Sequence, residues 1–291
     1  MKTIDLHVHS NFSDGTCTPE EIVNLAIEKN LAAIALTDHD GVGGIERALA
    51  ACRQKDDPLQ LIPGIELSTD YEGHDIHIVG LFIDYHNREL IEKTTLFVER
   101  RKNRNMQMIQ NLQDTGIPIT LEALMEGNPD TVITRAHFAR FLVSHQIAKD
   151  AREAFSTYLG EDTPYYVPRV MMKSTDGIRL ILHAGGIPIL AHPMHYKLDE
   201  IFLRKMIEDF KEAGLAGMEI RYSNHRPEDD VFTARLAKEY GLLPSGGSDF
   251  HGSNKPAIAL GTGRGNLEIP YEYLENLAAY KVNHQTAKTF R

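Results

Sequence analysis

The chain has 291 residues, of which 42% are hydrophobic and 25% charged, and its net charge is −10 at pH 7. This composition excludes disordered and fibrous proteins, and the negative charge argues against binding of long duplex nucleic acid, which requires a basic surface. No apolar run reaches the roughly 18–20 residues that span a bilayer, so no membrane association is expected. The two cysteines, Cys17 and Cys52, suit a reducing compartment, and the expected location is the cytoplasm.

The first predicted strand, T-I-D-L-H-V-H at residues 3–9, carries His7 and His9, and Asp14 follows in a loop. Alternate side chains of a strand point to the same face, so the two histidines should share a face. This alternation predicts two sets, which are the apolar Ile4, Leu6 and Val8 and the polar Asp5, His7 and His9. Two histidines on one face with a carboxylate five residues later favour a metal site over ordinary core histidines.

A first helix is predicted after T-P-E-E at residues 18–21, because Thr18 can cap it, Pro19 suits its first position and Glu21 completes a capping box. Further apolar runs are typical of strands and are separated by loops and helical patterns. They are A-A-I-A-L-T-D-H-D (32–40), L-Q-L-I-P-G-I-E-L (59–67), H-I-V-G-L-F-I-D (77–84), G-I-P-I-L-A-H-P (186–193), A-G-M-E-I-R (216–221) and L-L-P-S-G-G-S-D (242–249). Strands that alternate with helices predict a parallel α/β sheet, either open or closed into a barrel.

Residues 96–176 do not show this alternation of strands and helices. Helical spacing recurs in this segment, for example at 97–116 and 135–147, and no convincing strand pattern separates the helices. We therefore expect an inserted helical cap at 96–176, carried by an α/β body made of residues 1–95 and 177–291.

Histidines and carboxylates lie at or just after the ends of the predicted strands of the body. In parallel α/β folds the C-terminal ends of the strands gather at one edge, where chemistry is usually found. The candidates at these positions are His7, His9, Asp14, His39, Glu66, His77, His192, Asp249 and His251. Each of them alone has an ordinary explanation as a cap or turn residue, but together those explanations would bury many polar groups without partners.

Imidazole and carboxylate ligands without a thiolate suit Mn²⁺, Fe²⁺ or Zn²⁺. At about four to six ligands per ion, this set implies two or three divalent ions. Several divalent ions with three carboxylates leave a positive site, which would attract a phosphate dianion in spite of the acidic chain. Clustered metals are typical of phosphoryl hydrolysis.

These residues resemble those of the PHP (polymerase and histidinol phosphatase) superfamily of trinuclear metallo-phosphoesterases. The resemblance is carried by the motifs D-L-H-V-H-S, S-D-G-T, L-T-D-H-D, G-I-E-L-S, H-I-V-G, A-H-P and G-S-D-F-H, which are spread over nearly the whole body. It implies a distorted seven-stranded β/α barrel with an inserted helical subdomain.

The resemblance also implies how the ligands are shared. One ion would be held by His7, His9, Glu66 and Asp249, a second by Glu66, His77 and His192, and a third by Asp14, His39 and His251. A bridging water or hydroxide would attack phosphorus opposite the leaving oxygen. Asp38 and Asp40 are expected in the second shell or in supporting loops, since ligand histidines need partners for their other ring nitrogen.

Within the superfamily, I-T-R-A-H-F-A-R-F-L-V (133–143) and the stretches A-F-S-T-Y-L-G and Y-Y-V-P are similar to the branch that hydrolyses nucleoside 3′,5′-bisphosphates and trims short RNA from its 5′ end. In that branch the residues matching Arg135 and His137 hold substrate phosphate. The residues themselves agree, because Thr134 can cap a helix whose N-terminus favours anions and Arg135 adds a bidentate donor. His195 either protonates the leaving alkoxide or lies at the rim of the site, and its role stays open.

The expected function is therefore a metal-dependent phosphoesterase that acts on small nucleotides or short RNA, with no obligate protein partner evident. The alternative is a phosphatase for histidinol phosphate or another small phosphomonoester. An amidohydrolase is less favoured, because that class usually carries a bridging lysine where this chain has Glu66. A non-catalytic metal-binding or nucleotide-binding module is disfavoured by the intact ligand set.

Overall fold

The computed structural model describes residues 2–55, 59–125 and 127–289, and in these residues the chain forms eight strands and ten α-helices. The strands are β1 (Ile4–Val8), β2 (Ala33–Leu36), β3 (Gln60–Tyr71), β4 (His74–Leu81), β5 (Met172–Lys173), β6 (Ile187–Leu190), β7 (Gly217–Tyr222) and β8 (Leu243–Gly247). The helices are α1 (Pro19–Glu28), α2 (Ile45–Arg53), α3 (Arg88–Gln113), α4 (Leu121–Met125), α5 (Arg135–Ser144), α6 (Ala151–Ala154), α7 (Ser174–His183), α8 (Glu200–Ala213), α9 (Pro227–Glu239) and α10 (Glu272–Thr289).

Seven strands pair in the order β1-β2-β3-β4-β6-β7-β8, and β5 adds to β3. The sheet nearly closes, because Asp249 N–H donates to His7 O (2.9 Å) and His9 N–H donates to Phe250 O (3.0 Å). Gly247 allows this approach, since a Cβ there would lie 2.2 Å from His7 Cβ. The predicted distorted seven-stranded barrel is confirmed.

The prediction of parallel strands is wrong for β4, which runs antiparallel to both β3 and β6. The cause is the two-residue turn Glu72–Gly73, where both residues have positive φ (50° and 86°), as a tight hairpin requires. The start of β4 therefore lies at the same edge as the ends of the parallel strands. His77 reaches this edge from the first half of its strand.

A second departure from simple alternation occurs in β1. The register against β2 shifts between Asp5 and Val8, which marks a β-bulge. A bulge adds one residue and turns the following side chains to the other face. Leu6 packs with Ala35 inside the barrel, whereas Val8 packs with Leu36 under the surrounding helices. The expectation that Leu6 and Val8 share one face is therefore wrong.

The predicted capping box of α1 is confirmed, because Glu21 N–H donates to Thr18 Oγ1 (3.2 Å) and Thr18 N–H donates to Glu21 Oε2 (2.7 Å). No described helix combines the length and the apolar character needed to cross a membrane.

Helices α3 to α6 fill the segment expected to be helical, and they share a hydrophobic cluster that includes Met108, Phe138 and Leu142. Residues Phe155–Leu159 add a π-helical turn to this group. The helical region begins earlier than 96, since α3 starts at Arg88, and β5 returns to the barrel before 176. The division of the chain into body and cap stays a prediction.

Candidate metal centre and the adjoining cavity

The nine predicted ligands converge at one edge of the barrel, around the carboxylate of Glu66, which is 1% exposed. Its Oε2 lies close to three imidazole nitrogens, which are His7 Nε2 (3.2 Å), His9 Nε2 (3.1 Å) and His39 Nδ1 (3.1 Å). Its Oε1 lies close to two more, which are His77 Nδ1 (2.9 Å) and His192 Nε2 (3.0 Å). One buried carboxylate thus faces five histidines.

Two further carboxylates complete the cluster. Asp14 Oδ1 lies 3.1 Å from His251 Nε2 and 3.8 Å from His39 Nε2. Asp249 Oδ1 lies 3.2 Å from His251 Nδ1 and 3.5 Å from His9 Nε2. The three carboxylates are therefore linked to one another through shared histidines.

The Glu66 carboxylate and the His9 imidazole are in protonation states that suit metal binding, whereas Glu66 outweighs burial at His7 and His77 and raises the pKa of both, so a bound metal would displace their protons. Burial raises the pKa of the Glu66 carboxyl, but His7 and His39 outweigh burial and keep this pKa well below its usual range. Burial and the neighbouring His251 lower the pKa of His9 to about 3. Ionised carboxylates and neutral imidazoles are the forms that ligate metals.

The residues fit divalent metal ions. Three groups have ligand atoms within 4.8 Å of one another, namely His9, Asp14, His39 and His251; His7, His9 and Glu66; and His39, Glu66 and His77. In the described part of the chain, none of the contacts of the buried Asp14 Oδ1 and His39 Nδ1 within the cluster has hydrogen-bond geometry, as expected of atoms that point at a cation. His9 and His39 each belong to two groups, so the three sets implied by the resemblance stay a prediction.

Strained backbone lies at this edge. Asp40 (φ 51°), His192 (φ 28°) and Asp249 (φ 56°) adopt positive φ in the loops after β2, β6 and β8. Such conformations cost about 1–3 kcal/mol in residues other than glycine and persist where surrounding contacts fix them. Here the contacts of His192 and Asp249 with the cluster hold the loops in place.

Glu219 is a buried carboxylate beside the cluster that the sequence reasoning missed. It lies on β7, is 1% exposed, and its Oε1 lies 2.8 Å from His7 Nδ1. Its Oε2 accepts the N–H of His192 (2.6 Å). Within A-G-M-E-I-R, Glu219 looks like a strand residue that faces solvent. A carboxylate inside a short apolar run could nevertheless have indicated a buried polar group. It positions two predicted ligands at once.

We expect Glu219→Gln to weaken metal binding by about 10–100-fold, because it removes the charge that orients His7. Metal content after dialysis and a metal titration measure this effect. Glu212→Gln, an exposed change on α8, is the matched control and should leave the affinity unchanged. Equal affinity in both variants would contradict the positioning role.

Asp5 does not join the histidines, contrary to the alternation expected for β1. Its carboxylate accepts the N–H groups of Ser248 (2.8 Å) and Gly261 (2.8 Å). It thus fixes the chain immediately before Asp249.

Asp38 and Asp40 also support loops. Asp38 accepts the N–H of Ser10 (2.8 Å) and the hydroxyl of Ser13 (2.6 Å), and so shapes the loop that leads to Asp14. Asp40 pairs with the buried Arg101 of α3, which ties the barrel edge to the cap. Their predicted role in the second shell of a metal stays a prediction.

A cavity of about 470 Å³ adjoins the cluster, and Asp14, His39 and His77 belong to its wall. Four arginines line the cavity, which are Arg101, Arg104, Arg135 and Arg169. The carboxylates in the wall besides Asp14 are Asp70, Asp75 and Glu161. We refer to this space as the arginine cavity.

Arg135 lies on the first turn of α5, as predicted. Ala136 N–H donates to Thr134 Oγ1 (3.1 Å), which confirms the cap, and the Thr134 hydroxyl donates to Asp14 Oδ2 (3.0 Å). The Arg135 side chain is 29% exposed and lines the cavity. His137 is 3% exposed, and its Nδ1 accepts the N–H of Thr134 (3.1 Å). The cavity wall includes Arg135 but not His137, and both phosphate-binding roles stay predictions.

The other arginines were missed by the sequence reasoning. Arg101 and Arg104 belong to a stripe of α3 that continues through Asn105 and Met108, and all four are buried. Burial and Arg101 lower the pKa of Arg104 to about 9 and the pKa of Arg169 to about 10. In the described residues, Arg104 Nε is buried without a hydrogen-bond partner. Crowded guanidinium groups of this kind are suited to binding an anion.

Asp75 connects the cavity to the cluster. It accepts hydrogen bonds from Arg169 Nη2 (2.9 and 3.0 Å), lies 3.9 Å from Arg135 Nη2, and lies 3.5 Å from His77 Nε2. An anion bound by the arginines would therefore lie next to the predicted metal ligands.

His195 lies on the other side of the cluster. It lines a cavity of about 280 Å³ together with Glu66, His192 and Lys255. Burial and His192 lower the pKa of His195 to about 4, so its imidazole is neutral at pH 7. To donate a proton near pH 7, His195 would need a neighbouring anion, such as a phosphate dianion, to raise its pKa. Its role as the general acid stays a prediction.

A nearly closed α/β barrel whose strand edge gathers histidines around buried carboxylates defines a metal-dependent hydrolase. Residues 5–163 match the PHP domain family. The chain belongs to this family.

Named relatives cover most of the chain. It is 38% identical over 253 residues to the 3′,5′-nucleoside bisphosphate phosphatase of Chromobacterium violaceum (86% of this chain, 88% of the relative). It is 37% identical over 247 residues to the 5′-3′ exoribonuclease Rnm of Escherichia coli K12 (85% and 84%). Both relatives hydrolyse phosphoester bonds, so the expected enzyme class is confirmed.

A solved structure from Chromobacterium violaceum, described as an amidohydrolase with bound sulfate and no metal, has a TM-score of 0.83. It is 36% identical and covers 92% of each chain. The likeness extends to the whole fold, and the sulfate is a tetrahedral dianion like phosphate.

Proposed function

We propose that this protein is a metal-dependent phosphoesterase that removes the 3′-phosphate of nucleoside 3′,5′-bisphosphates and releases 5′-mononucleotides from short 5′-phosphorylated RNA. The observation that carries the proposal is the arginine cavity beside the metal-ligand cluster. A bisphosphate offers two anions, one for the cluster and one for the arginines. The activities named for the two relatives support this substrate class.

The two activities are the same reaction, which is hydrolysis of the bond between phosphorus and O3′. In a bisphosphate and in a 5′-phosphorylated oligonucleotide, the bond to be broken joins phosphorus to O3′ of a nucleotide that carries a 5′-phosphate. Water adds to phosphorus, O3′ leaves with a proton, and the product is a 5′-mononucleotide in both cases. One site that holds the 5′-phosphate therefore serves both substrates.

The residues of the chain divide the work. Arg104, Arg135 and Arg169 bind the 5′-phosphate, while the histidines and carboxylates hold two or three Mn²⁺, Fe²⁺ or Zn²⁺ ions. When bound, such ions lower the pKa of a water and stabilise charge on phosphoryl oxygens. His195 supplies or holds the proton at the leaving oxygen. The small number of cysteines suits a reducing compartment, and we therefore place the protein in the cytoplasm.

Phosphate release by the purified protein tests the proposal. With added Mn²⁺ we expect adenosine 3′,5′-bisphosphate to be preferred over 5′-AMP and histidinol phosphate, with 5′-AMP as the product. A chelator should abolish the activity. Preference for histidinol phosphate would leave the metal centre standing and overturn the substrate class. Hydrolysis of amides alone would overturn the reaction class.

Arg135→Ala separates the two anion sites. We expect kcat/KM for adenosine 3′,5′-bisphosphate to fall about 100-fold, in the range typical of a lost buried charge contact. With 3′-AMP, which lacks the 5′-phosphate, the variant should resemble the wild type. Arg179→Ala on α7, which changes an exposed arginine, is the control. Equal losses on both substrates would contradict this role for Arg135.

A further inference from the structure

Phe155 is an exposed aromatic side chain in the wall of the arginine cavity. It is 38% exposed, whereas Ala154 before it and Leu159 at the end of the π-helical turn are fully buried in the cap. Tyr166 lies in the same wall and is half-buried. Both rings lie beside Arg135, and the exposed part of Phe155 is available to a ligand in the cavity.

The two rings lie close to the phosphate-binding groups. The guanidinium carbon of Arg135 lies 6.0 Å from the centre of the Phe155 ring and 5.7 Å from the centre of the Tyr166 ring. Arg135 also lines the smaller cavity above Glu66. A nucleotide with its phosphates at Arg135 and at the cluster would have its base within reach of these rings.

The chain between the two rings is fixed by short hydrogen bonds. The Thr163 hydroxyl donates to Gly160 O (2.8 Å) and Tyr158 O (3.1 Å), and Tyr166 N–H donates to Thr163 O (3.2 Å). The π-helical turn that presents Phe155 is a rare geometry that is frequently found at functional sites. The rings are therefore held in place before a ligand binds, which lowers the entropy lost on binding.

We infer that Phe155 and Tyr166 form a stacking platform for the nucleobase of the substrate, an inference that rests on the proposed function. Stacking on an aromatic face accepts every base, because each base has a π-face. An enzyme that removes nucleotides one after another from RNA needs this tolerance. The arginines then hold the phosphate and the rings hold the base, without a hydrogen bond that reads its identity.

Activity on two matched substrates tests the platform. Phe155→Leu should lower kcat/KM for adenosine 3′,5′-bisphosphate about tenfold, as expected when a stacked base is lost. The same variant should change kcat/KM by less than about twofold on ribose 3,5-bisphosphate, which carries both phosphates but no base. Phe155→Trp should restore the preference for the nucleotide. Tyr158→Leu alters a neighbouring, partly buried ring outside the cavity and should shift both substrates by the same factor.

A second readout does not depend on turnover. The chain contains no tryptophan, so Phe155→Trp introduces a single tryptophan at the platform, which can be excited separately from the tyrosines. Titration with 5′-AMP should quench its fluorescence, and titration with ribose 5-phosphate should not.

The outcomes separate the two proposals. Equal losses on the two bisphosphates with Phe155→Leu, or equal quenching by the two titrants, would overturn the platform and leave the phosphoesterase proposal intact. Quenching by 5′-AMP alone, in a protein inactive on the bisphosphate, would support the platform and overturn the proposed substrate.

Discussion

Replacing Glu66 by glutamine is expected to lower kcat by more than about a hundredfold, beyond the range usual for residues that act through a ligand. The reason is geometric, since both carboxylate oxygens of Glu66 face imidazole nitrogens within 3.2 Å. An amide keeps the shape but removes the charge and presents an NH₂ group to the cluster. The bound metal should fall in parallel, measured as metal content after gel filtration.

The control for this change is Glu212→Gln, which is expected to retain full activity and metal content. A thermal unfolding curve of the metal-free proteins shows whether the Glu66 variant is folded. A folded variant with wild-type turnover would remove Glu66 from the metal centre. Loss of turnover with full metal content would instead give Glu66 a role in the reaction but not in holding the metal.

Arg104→Met is expected to stabilise the metal-free protein while lowering its activity. Burial and Arg101 lower the pKa of Arg104 to about 9, so the charged side chain is disfavoured in the folded state. Methionine keeps an unbranched apolar stem beside Met108 and removes the charge. Replacing a buried ion pair with apolar groups of similar volume is often neutral or stabilises by about 1–4 kcal/mol, and we expect removal of this crowded, buried charge to act in the same direction. The free energy of unfolding in urea measures this gain.

Activity should move in the opposite direction. From the proposed role of Arg104 in binding the 5′-phosphate, we expect kcat/KM for adenosine 3′,5′-bisphosphate to fall about 100-fold. Sulfate, which stabilises the folded form by binding to it, should raise the stability of the wild type more than that of the variant. Arg100→Met changes an exposed arginine of the same helix and should alter neither quantity much. Loss of stability in Arg104→Met would show that this arginine is structural.

The sequence by itself predicted seven of the eight described strands and the histidines and carboxylates that gather around Glu66. Each strand is a short apolar run, so a histidine or carboxylate at its end, such as His192 or Asp249, is conspicuous, because burial of such a group needs polar partners. The cap of α5 was also local, because Thr134 and the following helix lie within one turn. Such features depend on neighbours in the chain, and the composition of each segment is enough to predict them.

Tertiary structure decided which charged residues are buried. On α3, Arg100 is exposed, whereas Arg101 and Arg104 are buried. All three lie in one charged run, which in the sequence looks like a solvated helix face. Their environment is set by the barrel edge and the cap packing around them, because burial of a charge depends on contacts far apart in sequence. Glu219 is the same case in a strand, since its partners His7 and His192 come from other strand ends. The candidate metal ligands could be predicted from local pattern, whereas the arginine cavity exists only once distant segments meet.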